Sequence, residues 1–349
     1  MLRPSEFRNL ISGRSRGVGA TALRCLLRVA EVPYTFAVNW RNHRYDRGRA
    51  AVLHVAIPVV SVGNLTLGGT GKTPMVKWLA RWFGERGTRV AIVSRGYGAS
   101  AGKHNDEAME LGQSLPDVPH VQNPDRVAAA MRAIHEFSSQ LVVLDDGFQH
   151  RRLARSLDIV LLDALEPFGF DHVFPRGTLR EPVAGLKRAQ IVCLSRADII
   201  SANERDAIRR RVAKIAPNAA WCELVHAASR LINSTGESRP LEALAGQRVA
   251  AFSGIGNPAG FRHTLAATGC EIASWREFPD HHKYSAADLA ALSDRAQNCG
   301  AAMVVCTQKD LVKVPQANLG GVPLWAVAIE MKFQVGQDAL EDALNSVVI

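Results

Sequence analysis

Residues 59–80 read VVSVGNLTLGGTGKTPMVKWLA. An apolar, β-branched run passes into a glycine-rich turn, then Lys72 and Thr73, then a segment with helical periodicity. Nucleotide phosphates need this order. Successive backbone N–H groups and a helix N-terminus cradle the anion, a lysine reaches the outer phosphates, and a hydroxyl takes part in holding Mg²⁺. The strict GxxxxGK[ST] spacing would put glycine at position 66, where Thr66 stands. Gly68, Gly69 and Gly71 lie inside the loop instead, so it is a variant of the P-loop. The expected phosphate ligands are Gly68, Gly69, Thr70, Gly71, Lys72 and Thr73, with Thr73 also on the metal side.

Outward from this stretch, short apolar runs end repeatedly in polar or glycine-rich turns: RVAIVSRG (89–96), QLVVLDDG (140–147), LDIVLLDA (157–164) and QIVCLSRAD (190–198). Helix-like segments such as 74–87 and 124–137 separate them. Apolar strands alternating with amphipathic helices predict a parallel sheet covered on both faces. The fold expected is therefore α/β, a P-loop NTPase-type parallel sheet flanked by helices. A second series (RVAAFSGIGNP, AAMVVCTQKD, PLWAVAIEM) predicts a smaller α/β subdomain. The expected division is a basic N-terminal region at 1–49, a P-loop domain at 50–218 and a C-terminal subdomain at 219–349. QLVVLDDG resembles a Walker B strand end, with Asp145 or Asp146 as the carboxylate for Mg²⁺.

Composition fits a folded, globular protein. Among 349 residues, 47% are hydrophobic and 21% charged, which excludes disordered, collagen-like and coiled-coil classes. The formal charge of +9 is concentrated: residues 1–49 carry ten Arg, no Lys and three acids. An arginine block of this kind seeks phosphate on a nucleic acid, a lipid or a substrate. No CxxC pair occurs, so the cysteines are expected to be reduced and mostly buried. No secretory leader and no spanning helix are expected. Within 20–31 (ATALRCLLRVAE), Leu23, Leu26, Leu27 and Ala30 follow an i, i+3, i+4, i+7 pattern with Arg24, Arg28 and Glu31 opposite. Such a helix either docks on its own domain or lies at a membrane interface.

The stretches SVGNLTLGGTGKTP, SRGYG, NDEA, NPDRVAAA, LDDGFQHRRLAR, FPRGTLREP, AFSGIGNP, FPDHHKY and TQKDLVK occur here in the order found in the tetraacyldisaccharide 4′-kinase family, which the chain resembles from about residue 20 to 330. The resemblance implies transfer of the γ-phosphate of ATP, with Mg²⁺, to the 4′-hydroxyl of the lipid A disaccharide 1-phosphate precursor. It also implies peripheral attachment to an anionic membrane, the cytoplasmic face of the inner membrane, through the N-terminal helix. No nucleic acid and no obligate protein partner are expected. By resemblance Asp106 is the candidate base, Glu107 has a metal-side role, and His281 works with Asp106, while neighbouring His282 remains an alternative. Lys72 and Asp146 complete the catalytic set, and Tyr97, Arg126, His150, Arg180 and Glu181 match positions lining the substrate pocket. Bidentate arginines suit a substrate rich in phosphate and acyl oxygens. The chain departs from the family pattern in a short loop between Gly98 and Asp106, in Arg176 and Thr178, and in Gln308.

Two other classes compete. TQKD at 307–310 faintly resembles the base-reading loop of GTPases, which would make the chain a GTPase or nucleotide-gated switch. The arginine block would alternatively serve a nucleic-acid binder, although His150-Arg151-Arg152 lacks interleaved aromatics.

Overall fold

A computed structural model of the chain describes residues 4–96, 106–256, 258–280, 282–314 and 316–347. In chain order its elements are α1 (Pro4–Ile11), α2 (Val18–Asp46), β1 (Val59–Asn64), α3 (Lys72–Glu85), β2 (Val90–Ser94), α4 (Asp106–Ser114), β3 (His120–Gln122), α5 (Arg126–Phe137), β4 (Leu141–Asp145), β5 (Leu157–Asp163), β6 (Ile191–Ser195), α6 (Ala202–Ile215), β7 (Ala220–Ile232), β8 (Ser238–Pro240), β9 (Arg248–Ser253), α7 (Pro258–Ala266), β10 (Glu271–Glu277), α8 (Ala286–Asn298), β11 (Met303–Thr307), α9 (Gln308–Leu311), β12 (Asn318–Leu319), β13 (Val322–Val335) and α10 (Gln337–Asn345). They fall into two compact units. One comprises Met1–Arg95, Asp117–Val225 and Lys332–Ile349; the other comprises Gly96–Pro116 and His226–Met331.

In the first unit, the start of β7 and then β6, β5, β1, β4, β2 and β3 lie side by side, every pair parallel. Residues of β1, β4 and β5 are buried throughout, as the unbroken apolar runs require of a sheet covered on both faces. β1 is the central strand. The chain departs from it towards β2 on one side and later returns through β5 on the other. Such a reversal leaves a crevice at the carboxyl ends of the strands, where α/β sheets take their ligands. Val62 of β1 is opposite Asp145 of β4, so the Asp145-Asp146 strand end sits beside the loop that follows β1.

Two glycines make that adjacency possible. A Cβ on Gly63 would stand 2.5 Å from the Cβ and 2.8 Å from the backbone N of Phe148. One on Gly147 would lie 2.6 Å from Ser61 Oγ. SVGN and DDGFQH are thus interlocking backbones, which is why both carry glycine where they meet.

The unit boundaries differ from a division at 218/219. The first residues of β7, from Ala220 to Leu224, pair with β6 of the first unit, and the C-terminus returns to that unit. Phe333 meets Trp78 of α3 with ring centroids 5.0 Å apart. Gly336, at φ 81, lies against Trp221 so closely that a Cβ would come within 2.2 Å of its carbonyl oxygen. Contacts between strand ends far apart in sequence set this boundary.

Helix α2 is longer than the 20–31 segment and passes through Pro33. Proline removes a bond to the carbonyl four residues back, here Val29, and both residues are on the exposed side where that carbonyl can be solvated. The helix docks by its polar side. Arg24 donates to the carbonyl of Ser15 at 2.8 Å. Glu31 is buried and accepts from the backbone N of Val173 at 2.8 Å. Asn42 donates to Glu181 at 2.8 Å, and Arg151 donates to the carbonyl of Asn42 at 3.0 Å. The apolar side is left out: Val18, Leu26, Val29, Val32, Phe36 and Trp40 are exposed, while Leu23 and Leu27 are half-buried. Glu31 therefore belongs to the docked face, since its carboxylate has a backbone amide to satisfy. Among the described residues no helix is long and apolar enough to cross a membrane.

In the second unit β10, β9, β11 and β13 form a parallel array. Phe252, Leu292, Cys306, Leu319 and Leu324 contribute to its core. α4 belongs to this unit, where Gln308 of α9 donates to Ser114 Oγ at 3.0 Å.

Candidate active site

The loop after β1 is held before it turns. The backbone N of Leu67 donates to the Thr178 carbonyl, and that of Arg180 to the Leu65 carbonyl, both at 2.7 Å. Gly68 then adopts φ 120 and Gly71 φ 84, backbone that favours glycine. Gly71 is the N-cap of α3 and brings no side chain to the helix N-terminus, so the first-turn amides face the loop without a side-chain acceptor. Lys72 is the first residue of α3 and Thr73 the second, with Thr70 and Thr73 both buried.

Lys72 Nζ lies 3.3 Å from Asn64 Oδ1 and 3.4 Å from Asp146 Oδ1. Asn64 is fixed in turn, donating to the Thr66 carbonyl at 2.8 Å. On the other side of Asp146, Arg180 Nη1 donates to both carboxylate oxygens at 2.9 and 2.8 Å. Burial pushes the Asp146 pKa up, but the charges of Lys72 and Arg180 outweigh it and hold the carboxyl below its ordinary 3.8. Asp146 also adopts φ 54, in the left-handed region. Such backbone strain gathers at functional sites, and here it turns the carboxylate towards two cations at the end of β4. Asp145 is buried one residue earlier.

Arg126 and His150 add to this set. Arg126, the first residue of α5, is buried and donates to the Pro124 carbonyl at 3.0 Å. Burial and then the charge of Arg95 lower its pKa, while Asp146 and Asp145 are close enough to oppose the shift. The His150 ring has its pKa pushed down to about 4 by burial and then by Arg126, so it is neutral near pH 7. Among the described residues, Arg126 Nε, Arg180 Nε and His150 Nε2 are buried without a hydrogen-bond partner. Buried polar nitrogens of this kind are normally satisfied, so these have the character of ligand-facing groups.

Glu181 is held by partners of its own. It is fully buried, and its oxygens accept from Arg188 at 2.8 and 2.9 Å, Gln149 at 3.0 Å and Asn42 at 2.8 Å. A carboxylate so occupied ties α2 and the turn after β4 together. Asn64, Gln149, Asn42 and Arg188 were not singled out from sequence, although SVGN and DDGFQH contain the first two.

The second unit places three further expectations. Asp310 of TQKD is fully buried. It accepts from the Gly254 backbone N at 3.1 Å, Tyr284 Oη at 2.8 Å and Thr307 Oγ1 at 2.6 Å. With both oxygens engaged it joins β9, β11 and the Tyr284 segment and offers nothing to a guanine base. His282 lies 3.1 Å from Asp288 Oδ2 and stacks on Phe278 at 4.6 Å. Asp288 caps α8 together with Ser285 and has its pKa lowered to about 2, mainly by Ser285 and then by His282. His282 is thus part of a helix cap. Asp106 and Glu107 open α4, but their side chains are not among those described, and Tyr97 and His281 lie outside the described residues.

The family model for tetraacyldisaccharide-1-P 4′-kinase matches residues 23–349. The tetraacyldisaccharide 4′-kinase of Anaeromyxobacter dehalogenans strain 2CP-1 is 42% identical over 348 residues, covering 94% of this chain and 91% of the relative. That of Geobacter sulfurreducens is 35% identical over 360 residues, covering 98% of each. Among solved structures, LpxK from Aquifex aeolicus in complex with ATP superposes with a TM-score of 0.75 at 27% identity, covering 94% of this chain and all of that one.

Proposed function

Because the chain belongs to the tetraacyldisaccharide-1-phosphate 4′-kinase family, we propose that it transfers the γ-phosphate of ATP to the 4′-hydroxyl of tetraacyldisaccharide 1-phosphate in lipid A biosynthesis. The observation that carries this reading is the chain Asn64–Lys72–Asp146–Arg180 at the end of the glycine loop. Phosphoryl transfer asks a protein for positioning and for positive charge around the transferring group. Loop amides and Lys72 would hold the nucleotide phosphates. Arg126 and Arg180, each with a buried Nε still to satisfy, would meet phosphate oxygens of nucleotide or acceptor.

Mg²⁺ suits the donor set. It takes few protein ligands beside phosphates and water, and a hydroxyl and a strand-end carboxylate stand at the two edges of the loop. Asp146 is committed to Lys72 and Arg180, so Thr73 and Asp145 would hold the ion, with Glu107 as a further candidate. When bound, it neutralises charge on the phosphate oxygens. The acceptor hydroxyl must lose its proton as it attacks. Asp106, assisted by His281, is proposed as that base, on the family pattern. Tyr97 and His150 are proposed on the acceptor side.

Peripheral attachment to an anionic membrane at the cytoplasmic face of the inner membrane is part of the proposal. Its support is α2, docked by its polar side with Phe36 72% and Trp40 57% exposed on the other. The committed geometry of Asp310 disfavours the guanine-reading alternative. Incubation with labelled ATP and tetraacyldisaccharide 1-phosphate tests the activity. Label should pass to the lipid, and its failure to do so with a folded, ATP-binding chain would refute the proposal. Asp106→Ala should cost roughly 10²–10⁴ in rate if Asp106 is the base.

A further inference from the structure

At the C-terminal end of α2 lies a cavity of about 310 Å³ lined by Trp40, Arg41, Arg44, Tyr45, Arg49 and Arg152, with Ala50 and Ala51. None of these residues belongs to the phosphate loop or to the Asp146 cluster. We propose that this cavity binds the phosphate of an anionic phospholipid headgroup, at a site distinct from that of phosphoryl transfer. The inference rests on the membrane attachment proposed above and gives it a specific contact.

Of the cavity's four arginines, Arg152 alone is paired internally among the described residues. Asp46, the nearest acid on α2, is held by Arg151 at 2.8 Å, and Asp125 pairs with Arg152 at 3.0 Å. Arg41, Arg44 and Arg49 have no ion-pair partner among the described residues. Nor are they needed to cap the helix by ion or side chain. The carbonyls of His43, Tyr45 and Arg44 accept from the backbone N–H groups of Arg47, Gly48 and Arg49 at 3.0, 3.0 and 2.7 Å. Only a long 3.5 Å contact from Arg44 to the Arg49 carbonyl uses a guanidinium.

The walls are built. Leu53 N donates to the Arg152 carbonyl at 2.7 Å and Ala154 N to the Leu53 carbonyl at 2.9 Å, fixing the 152 side against the chain after α2. The Arg44 guanidinium sits 5.1 Å from the Trp40 ring centroid, and that of Arg151 5.1 Å from the Tyr45 ring. Stacking limits the freedom of a planar fork and so prepares it for bidentate contact with a phosphate.

Position selects the source of that phosphate. Trp40 lines the cavity and is also the last residue of the exposed apolar stripe running from Val18 through Leu26, Val29 and Phe36. A molecule with acyl chains along the stripe would bring its headgroup to the arginines, with the tryptophan at the headgroup level that this side chain favours. A soluble phosphate would have no use for the stripe.

The test keeps charge constant and changes geometry. The full chain is sedimented with phosphatidylcholine vesicles and with phosphatidylcholine vesicles containing about 30% phosphatidylglycerol, as wild type, as Arg44→Lys/Arg49→Lys and as Arg14→Lys/Arg16→Lys. The expected result is an affinity for the anionic vesicles about tenfold weaker in the Arg44/Arg49 pair alone, since lysine cannot make the fork contact. Equal binding by all three proteins would mean diffuse electrostatics and overturn the cavity while leaving membrane attachment standing. Wild type that binds neither vesicle would overturn both. The KM for the disaccharide acceptor in detergent micelles should be the same in wild type and the Arg44/Arg49 pair. A raised KM with unchanged vesicle binding would assign the cavity to the substrate and refute the proposal, as would loss of single-stranded DNA binding in place of vesicle binding.

Discussion

Replacing Asp146 by Asn and, separately, by Ala divides the charge of this residue from its backbone geometry. At φ 54 a side chain with an ordinary Cβ costs roughly 1–2 kcal/mol, whereas Asn, like Asp, can bond locally and tolerates the left-handed region. The charge contributes through Arg180 at 2.8 Å and Lys72 at 3.4 Å. Hydrogen bonds to charged groups are worth about 1.5–3 kcal/mol when sheltered. The Asp146 side chain is 37% exposed, so solvent screening reduces this towards the ~1 kcal/mol or less of surface pairs. Loss of the carboxylate also leaves Lys72 and Arg180 facing one another. Asp146→Asn should therefore cost about 1–2 kcal/mol, and Asp146→Ala about 1 kcal/mol more.

The same reasoning fixes a pH dependence. The folded-state pKa of Asp146 is depressed below 3.8, so its contribution is fully present above that value. It is lost as the pH falls through the folded pKa. Urea unfolding from neutral to acid pH should show wild type and Asp146→Asn converging as the acid limb is entered. Equal stability of the Asn and Ala variants would refute the backbone argument. A gap between wild type and Asn that persists unchanged into acid would refute the electrostatic one. Activity should fall by roughly 10²-fold in both variants if the carboxylate positions Lys72 and Arg180 for the transferring phosphate.

Three further outcomes follow from the same geometry. Gly63→Ala drives a Cβ into the backbone of Phe148 and should cost about 1–3 kcal/mol, read as a lowered urea midpoint, with the phosphate loop displaced as well. Glu181→Gln leaves the Arg188 guanidinium, 12% exposed, without its counter-charge. A loss of about 3–5 kcal/mol and faster proteolysis in 14–49 should result, because Asn42 loses its anchor too. His150 should remain neutral down to about pH 4, so its ring resonances should stay constant across pH 5–8 in NMR titration. Stability should fall as the pH drops from 6.5 towards 4, because the unfolded ring takes up a proton that the folded ring refuses.

How much of this was legible in the sequence depended on the separation of the partners. The glycine loop and the helix after it are a local matter, and so is the strand ending in Asp145-Asp146, but its place between β1 and β2 is set by the sheet and not by chain order. The partners of Glu181 were not legible, because Asn42 and Gln149 lie 139 and 32 residues away, and an exposed loop carboxylate looks the same in sequence as a buried one. The same holds for Asp310. TQKD has the composition of a base-reading loop, but Gly254 and Tyr284, 56 and 26 residues distant, complete its hydrogen bonds. For α2 the apolar spacing of 20–31 was visible, but Pro33 and the charged run after Trp40 hid that the helix continues to Asp46.

The arginine-rich N-terminal region shows why a count of charges says less than their disposition. Arg8 pairs with Glu166 in the turn after β5, Arg24 ties α2 to the Leu10 and Ser15 carbonyls, and Arg28 pairs with Glu31 within α2, so part of the block is used internally. The block's other described arginines have no ion-pair partner among the described residues and gather at the two ends of α2: Arg14 and Arg16 before it, Arg41, Arg44, Arg47 and Arg49 at its close. Between these ends the outward side is apolar, over a helix of about 43 Å. Each arginine near an anionic surface adds about 1 kcal/mol of attraction and loses it to screening within a Debye length. The apolar stripe is insensitive to salt. Raising the ionic strength should thus weaken vesicle binding without abolishing it, whereas Leu26→Ser/Phe36→Ser should abolish binding at high salt and retain some at low salt. If the serine pair bound as wild type at every salt concentration, the stripe would not be the membrane-facing side.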